Sequence, residues 1–488
     1  MSNPLRPIGE VLTTSAAADP DRPAVTCEGV TITRDELDRR SNRLARAYAS
    51  FGVSQGDLVT IGLRNGIEFY VSCYATWKLG AVPQPVSWRL PARERRQIIE
   101  LADPPLVVGL DEQHADRHTV PAGFEPDAAL SDAPLPATVP PAWKALTSGG
   151  STGRPKVIVS GSAGAIAPEA AQRRFFMQPE HVQLVPGPLY HNGPFSYSML
   201  GSFLGQHLVV LPRFDAEAAL EAIEQHRVGF VLLVPTMMLR MWRAIEAAPG
   251  RYDLSSLEVV WHMAAPCPPW LKERWIDLVG GSHLFELYGG TEAQAMTVIS
   301  GDEWLAHPGS VGRVAEGQMK VVDAAGDAVP QGQVGEIYMR KAPGAPDTYR
   351  YIGAEAKVLD DGWESLGDIG WIDAGGYLHL TDRISDMILV GGANIYPAEV
   401  EAALSEHPLV ASSAVVGLPD EDLGHHLHAV VEATQALTGD ELRTFLLERV
   451  EPHKIPRSFR FVTETLRDDA GKVRRSAVRE REIELQRG

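Results

Sequence analysis

Cysteine is scarce in this chain: only Cys27, Cys73 and Cys267 occur among 488 residues. Three scattered thiols make neither a metal pair nor a disulfide framework, and they read as packed core residues. Long apolar runs are missing as well. No stretch of roughly 18 apolar residues occurs, so no integral membrane segment is expected. The opening Met-Ser-Asn-Pro-Leu-Arg-Pro lacks the apolar core of a secretion signal, which makes the cytoplasm the expected compartment. Positive charge is outweighed, with 45 Lys and Arg against 63 Asp and Glu and a formal charge of −18. Such a surface repels nucleic acid and anionic membranes, so neither is expected as a partner. An anionic ligand must then be held by a local site. No internal repeat or block of like charge appears.

What is present suits a globular protein. The chain is 44% hydrophobic and 22% charged, and its length exceeds one ordinary core, so two or more domains are expected. Residues 34–51 read as an amphipathic helix, with Leu37, Leu44, Ala45 and Tyr48 at helical spacing. A buried strand over 57–63, a helix over 67–79 and a strand-like AVPQPV follow. Residues 119–142 are rich in Pro and Ala and read as a surface connection. The alternation resumes with strands at 206–212 and 228–234 and helices at 216–226 and 236–246. Strands alternating with helices indicate parallel α/β architecture. Beyond about 315 the pattern turns to short strands (MKVVD, AAGDAV, GEIYMR, WIDAGGYLHLTDR), which suits a small β-rich subdomain. From 385 a new unit begins: helix VEAALSEHPLV, strands ASSAVVGLP and HHLHAVVEA, helix GDELRTFLLERV. The expected fold is therefore α/β. A large N-terminal domain, 1–384, ends in the β-rich subdomain, and a small α+β C-terminal domain, 385–488, follows a hinge near Ser385-Asp386.

Four segments carry chemistry. The first is Thr147-Ser148-Gly149-Gly150-Ser151-Thr152-Gly153-Arg154-Pro155-Lys156. Its glycines let backbone N–H groups approach an anion, its hydroxyls add donors, and Lys156 adds charge. It is not the P-loop pattern, because Pro155 precedes the lysine and Val157 follows it. Taken alone, it could also be a flexible linker. The second is Tyr288-Gly289-Gly290-Thr291-Glu292, where a tyrosine face could meet a base and a carboxylate could hold Mg²⁺. Alone, it is equally an ordinary turn. The third joins Gly367-Asp368 to Asp382-Arg383 and to Gly391-Gly392-Ala393-Asn394. Its aspartate suits ribose hydroxyls, and its simpler reading is a set of surface ion pairs. The fourth is Gly471-Lys472-Val473-Arg474-Arg475, which alone reads as a solvated basic tail.

In this order and combination, the four segments resemble the adenylate-forming superfamily of acyl-CoA synthetases, adenylation domains and luciferases. The resemblance runs from about residue 20 to about 480. It implies that Ser148, Gly149, Gly150, Ser151, Thr152 and Gly153, with Lys156 nearby, grip the β- and γ-phosphates of ATP. Tyr288, with Gly289 and Gly290, would lie against adenine, Thr291 would bond the α-phosphate, and Glu292 would hold Mg²⁺. Ala264-Ala265-Pro266 looks like the adenine-side loop, and Asp368 and Arg383 match the ribose-binding pair. Lys472 matches the adenylation lysine. Gly391, Gly392 and Asn394 would line the pantetheine tunnel after the C-terminal domain rotates. Ser385 stands at the hinge, where Asp or Lys is more usual. In Pro188-Leu189-Tyr190-His191-Asn192-Gly193-Pro194-Phe195, His191 is the candidate beside the reacting carboxylate; a structural histidine is the other reading. No aspartate occurs from 188 to 200, which disfavours an amino-acid substrate.

The resemblance thus implies an AMP-forming acid–CoA ligase using ATP, Mg²⁺ and coenzyme A as co-substrate. Its partner is a small carboxylic acid, apolar and monocarboxylic: fatty, aryl or a steroid side-chain acid. It leaves a homodimer open. Two other functions remain: a stand-alone adenylating enzyme that loads a carrier protein, and a nucleotide-binding regulator without turnover.

Overall fold

In the computed structural model, residues 4–110, 116–149, 155–390, 393–420, 423–468 and 471–487 are described. A nine-stranded sheet forms the centre of the large domain. Its strands, in spatial order, are Arg313–Glu316, Met296–Ser300, Leu284–Gly289, Val259–His262, Phe230–Leu233, Val182–Val185, His207–Val210, Pro23–Cys27 and Val30–Thr33. The middle strands run parallel, and antiparallel strands close both edges.

Alternation along these strands feeds two cores. Val185, Leu208 and Val210 face the helices Arg34–Ser50, Ile67–Lys78 and Asn192–Leu204, with Leu37, Tyr48, Phe69 and Phe195. Leu184, Val209, Val231 and Val260 face the helices Ala216–His226, Pro235–Ala247 and Pro269–Val279, with Leu220, Met238 and Trp275. Burial on both faces is what a parallel sheet requires. The helix Arg34–Ser50 starts on a capping box, in which Thr33 and Glu36 satisfy each other's backbone N–H groups.

A four-stranded parallel sheet (Val82–Pro85, Leu58–Ile61, Leu106–Val108, His118–Val120) lies earlier in the chain. The β-rich part contains Gln318–Val322, Gly335–Arg340, Trp363–Ile372, Lys357–Leu359 and Leu378–Arg383. The expected strand AAGDAV is instead a turn, touching the sheet only through an isolated bridge between Val322 and Ala328. There the Asp323 carboxylate accepts from the N–H groups of Ala325 and Asp327 and so folds the chain back.

The small C-terminal domain sets Val410–Asp420, Gly424–Ala433 and Ser458–Val462 in one sheet, with helices Pro397–Ser405, Gly439–Leu446 and Arg475–Arg487. Pro397 at the first helical position starts its helix three residues before the expected segment. All three cysteines are free; Cys27 and Cys73 are buried and Cys267 is half-buried. Among the described residues, no helix is long and apolar enough to cross a membrane.

Candidate active site

The site is assembled where strand ends of the large domain meet a loop of the small one. Ser148 pairs with Lys156 and Gly149 with Pro155 across a hairpin formed by Ala145–Gly149 and Pro155–Ser160. Its turn holds Gly150, Ser151, Thr152 and Gly153, which lie outside the described residues, as do Gly391 and Gly392. At the base of that hairpin, Lys156 Nζ lies 3.2 Å from Glu292 Oε1 and 3.9 Å from the Tyr351 ring centroid. The Tyr351 hydroxyl donates to the same carboxylate oxygen at 2.5 Å. Glu292 is buried, and a Cβ on Gly290 would stand 2.8 Å from its Oε2. The bare glycine therefore lets the carboxylate fold back over the turn. Thr291 beside it is half-buried.

A second group lies on the neighbouring strands. Asp368 faces Arg383 in register across Trp363–Ile372 and Leu378–Arg383. Arg383 Nε donates to Asp368 Oδ1 at 3.0 Å, and the Tyr288 hydroxyl donates to Oδ2 at 2.8 Å. Asp368 holds the Arg383 guanidinium above its ordinary range, while burial, helped by Asp368, raises the Tyr288 phenol. Strand pairing thus joins Tyr288 to Asp368 and Arg383, the three residues expected at the nucleoside. In the loop 264–266, Ala264 and Pro266 are exposed and Ala265 is half-buried; Ala264 takes a left-handed φ of 77°.

The small domain delivers Lys472. Its loop is closed by Lys472 N–H donating to Asp468 Oδ1 at 2.8 Å, and it rests on the start of helix Pro235–Ala247. A Cβ on Gly471 would come within 2.1 Å of Thr236 Oγ1. Lys472 itself is exposed on that loop. Burial first, then the Arg383 charge, lowers its ammonium; Asp468 and Glu292 oppose that shift. Lys472 therefore stands within electrostatic reach of both groups described above. His191 Nε2 is 3.8 Å from Asp468 Oδ2, and burial, with a smaller effect of Lys472, pushes the imidazole down to about 3. His191 is thus a neutral ring at ordinary pH. Asn394 is not brought here: it is exposed on the hairpin Ile388–Val390 and Ala393–Ile395, packed on the small domain's own sheet.

The donor set suits Mg²⁺. Among the described residues no group of three or more His, Cys, Asp or Glu could form a metal cage. Mg²⁺ does not need one, because it takes one or two carboxylates and completes its shell with phosphate and water. The buried Glu292 carboxylate supplies that kind of ligand.

Sequence reasoning missed Tyr351 and Lys144. Tyr351 reaches Glu292 because its strand Tyr349–Ile352 pairs with Pro155–Ser160, which no local pattern announces. Lys144 did carry a signal, a lysine set in the apolar run Ala-Trp-Lys-Ala-Leu ahead of the hairpin.

Residues 12–346 match the model of the AMP-binding enzymes, and residues 399–472 match the AMP-binding enzyme C-terminal domain. The chain is 33% identical to a feruloyl-CoA synthase of Amycolatopsis, over 96% of this chain and 97% of that protein. It is 31% identical to a fatty acid–acyl-carrier-protein ligase of Streptomyces coeruleorubidus, over 96% of both. An o-succinylbenzoate CoA synthetase of Bacillus subtilis, solved with its acyl-adenylate intermediate, superposes with a TM-score of 0.81 at 25% identity. That match covers 97% of this chain and 98% of the other. The first match holds the Lys156 hairpin and the segment Tyr288 to Glu292, the second ends on Lys472, and the chain belongs to the family of AMP-binding enzymes.

Proposed function

We propose that the protein is an ATP-dependent acid–CoA ligase: a carboxylate and ATP give an acyl-adenylate and pyrophosphate, and CoA thiol then gives the thioester and AMP. The observation that carries this reading is the seating of the Lys472 loop of the small domain on the start of helix Pro235–Ala247, with its ammonium in electrostatic reach of Glu292 and Arg383 of the large one. Adenylation brings an anionic carboxylate to an anionic phosphate, and charge spreads over the phosphoryl oxygens. An ammonium held between them stabilises what grows in the transition state. Mg²⁺ on Glu292 would neutralise phosphate charge when bound. Tyr351 and Lys156 orient the Glu292 carboxylate, and Asp368, fixed by Arg383 and Tyr288, offers acceptors to ribose hydroxyls. Gly150 to Gly153 grip the outer phosphates, and Thr291 the α-phosphate.

In this reading the small domain begins at Ser385, in the turn after Leu378–Arg383, and rotates between half-reactions. Lys472 then withdraws, and the hairpin carrying Asn394 takes its place at a thiol tunnel. The acid has an aryl or other apolar body. The relative named as a feruloyl-CoA synthase supports an aryl acid. The protein works in the cytoplasm. The carrier-protein ligase among the relatives keeps a second reading in play, in which the thiol acceptor is a carrier protein.

The test separates the half-reactions. Lys472→Ala should lower acid-dependent pyrophosphate release by about 10²–10³ while sparing thioester formation from supplied acyl-adenylate. Equal loss in both steps would contradict the rotating-domain assignment. Offering CoA and a panel of carrier proteins to the adenylate tells the two acceptors apart.

A further inference from the structure

Among the described residues, Lys144 is a buried cation without a counter-charge. It is 9% exposed, and its ammonium donates to the Asn192 side-chain oxygen and, at 2.6 Å, to Ser196 Oγ. It also lies 4.3 Å from the Trp143 ring centroid. These partners satisfy protons but bring no negative charge. Burial alone sets the amine, pushing it down to about 7, and no charged group contributes. Burying an unpaired ammonium is costly, and an apolar side chain of like length would pack the same space more cheaply.

Its position raises the cost. Asn192 opens the helix Asn192–Leu204, whose start carries the positive end of the helix dipole. His191 at the N-cap makes no side-chain capping bond, so the first N–H groups are not satisfied from that side chain. The His191 Nε2 atom is itself buried and without a hydrogen-bond partner. Through Asn192 and Ser196, Lys144 adjoins the helix start beside His191, and among the described residues its ammonium has no anionic acceptor. The loop expected to grip the outer phosphates begins further along the chain. Lys144 lies four residues before Ser148 along the Ala145–Gly149 strand, about 13 Å away at about 3.3 Å per residue.

We propose that Lys144 recognises a carboxylate of the acid substrate, with the uncapped start of helix Asn192–Leu204 and His191 completing the seat. This rests on the ligase reading above. The carboxylate is either the one that reacts or a second one on the same acid, and the two have different signatures.

The experiment compares wild type with Lys144→Met and Lys144→Arg, using pentanoate with glutarate and benzoate with terephthalate. Three readouts are taken: pyrophosphate release, thioester formation from supplied acyl-adenylate, and calorimetric binding of each acid beside a non-hydrolysable ATP analogue. Lys144→Met should raise KM and weaken acid binding by about tenfold to a hundredfold, with Lys144→Arg between it and wild type. Thioester formation from the adenylate should hold. Loss confined to the diacids assigns the seat to a second carboxylate, and equal loss on the monoacids assigns it to the reacting one. A fall of both half-reactions together, or no change in acid binding, overturns the proposal. If wild type releases no pyrophosphate with any acid, the ligase reading fails by itself, and calorimetry still decides Lys144. Should Lys144→Met melt early, Lys144→Gln repeats the series.

Discussion

In the proposed site, the nucleoside side rests on Asp368. It accepts from Arg383 and Tyr288 at once, so Asp368→Asn removes the charge that holds Arg383 and a hydrogen bond to the buried phenol. Steady-state kinetics should show the KM for ATP rising by about tenfold to a hundredfold, the range for losing a hydrogen bond to a charged group. An unchanged KM would remove Asp368 from the ribose site. Lys144 gives a stability signature. Because burial lowers its amine from 10.5 to about 7, the unfolded chain binds the extra proton between those values, and stability from this group rises with pH across that window. Lys144→Met lacks the penalty, so the variant should melt above wild type near pH 7, with the two curves converging toward pH 10.5. Parallel curves would show that the amine is solvated. Residues inside contiguous motifs, such as Glu292, Asp368 and Lys472, were legible because the chemistry is written locally. Tyr351 was not, since only strand pairing brings it to Glu292.

At the scale of elements, the decisive contact is the loop of Lys472 against the start of helix Pro235–Ala247. Gly471 has a φ of 74°, and any Cβ there would meet Thr236. Gly471→Ala should therefore push the loop out. Adenylation should fall by about tenfold to a hundredfold, in line with one strained residue and a close clash, while the thioester step from supplied acyl-adenylate is spared. A variant with both steps intact would show that the loop does not close on the helix during catalysis. The helices were readable from apolar spacing: the stripe Leu37, Leu44, Ala45 and Tyr48 is buried in the first core. The β-rich part was less so. AAGDAV has the composition of a short strand, yet one aspartate accepting two backbone N–H groups makes it a turn. The helix GDELRTFLLERV stops at Leu446, after its buried residues Leu442 and Leu446.

Among the described residues, several polar contacts form a seam between the small domain and the large one. Arg474 reaches Glu94 with both terminal nitrogens at 3.2 Å, Arg243 donates to the Ser405 and His407 carbonyls, and Trp270 Nε1 donates to Ser405 Oγ at 3.3 Å. The Arg474–Glu94 ion pair, with its arginine exposed, is worth about 0–1 kcal/mol, so it does not by itself lock the two domains together. That suits a small domain that presents Lys472 in one half-reaction and leaves in the other. The central claim is that this seam closes on an acid and ATP to make an adenylate. The most direct measurement is pyrophosphate release with Mg²⁺ and ATP against fatty, aryl, steroid side-chain and amino acids, with and without CoA, followed by mass analysis of the products. The expected result is release with one class of apolar or aryl acid and a CoA thioester of that acid. Absence of release with every acid, despite tight ATP binding, would contradict the claim and leave a nucleotide-binding protein that does not turn over.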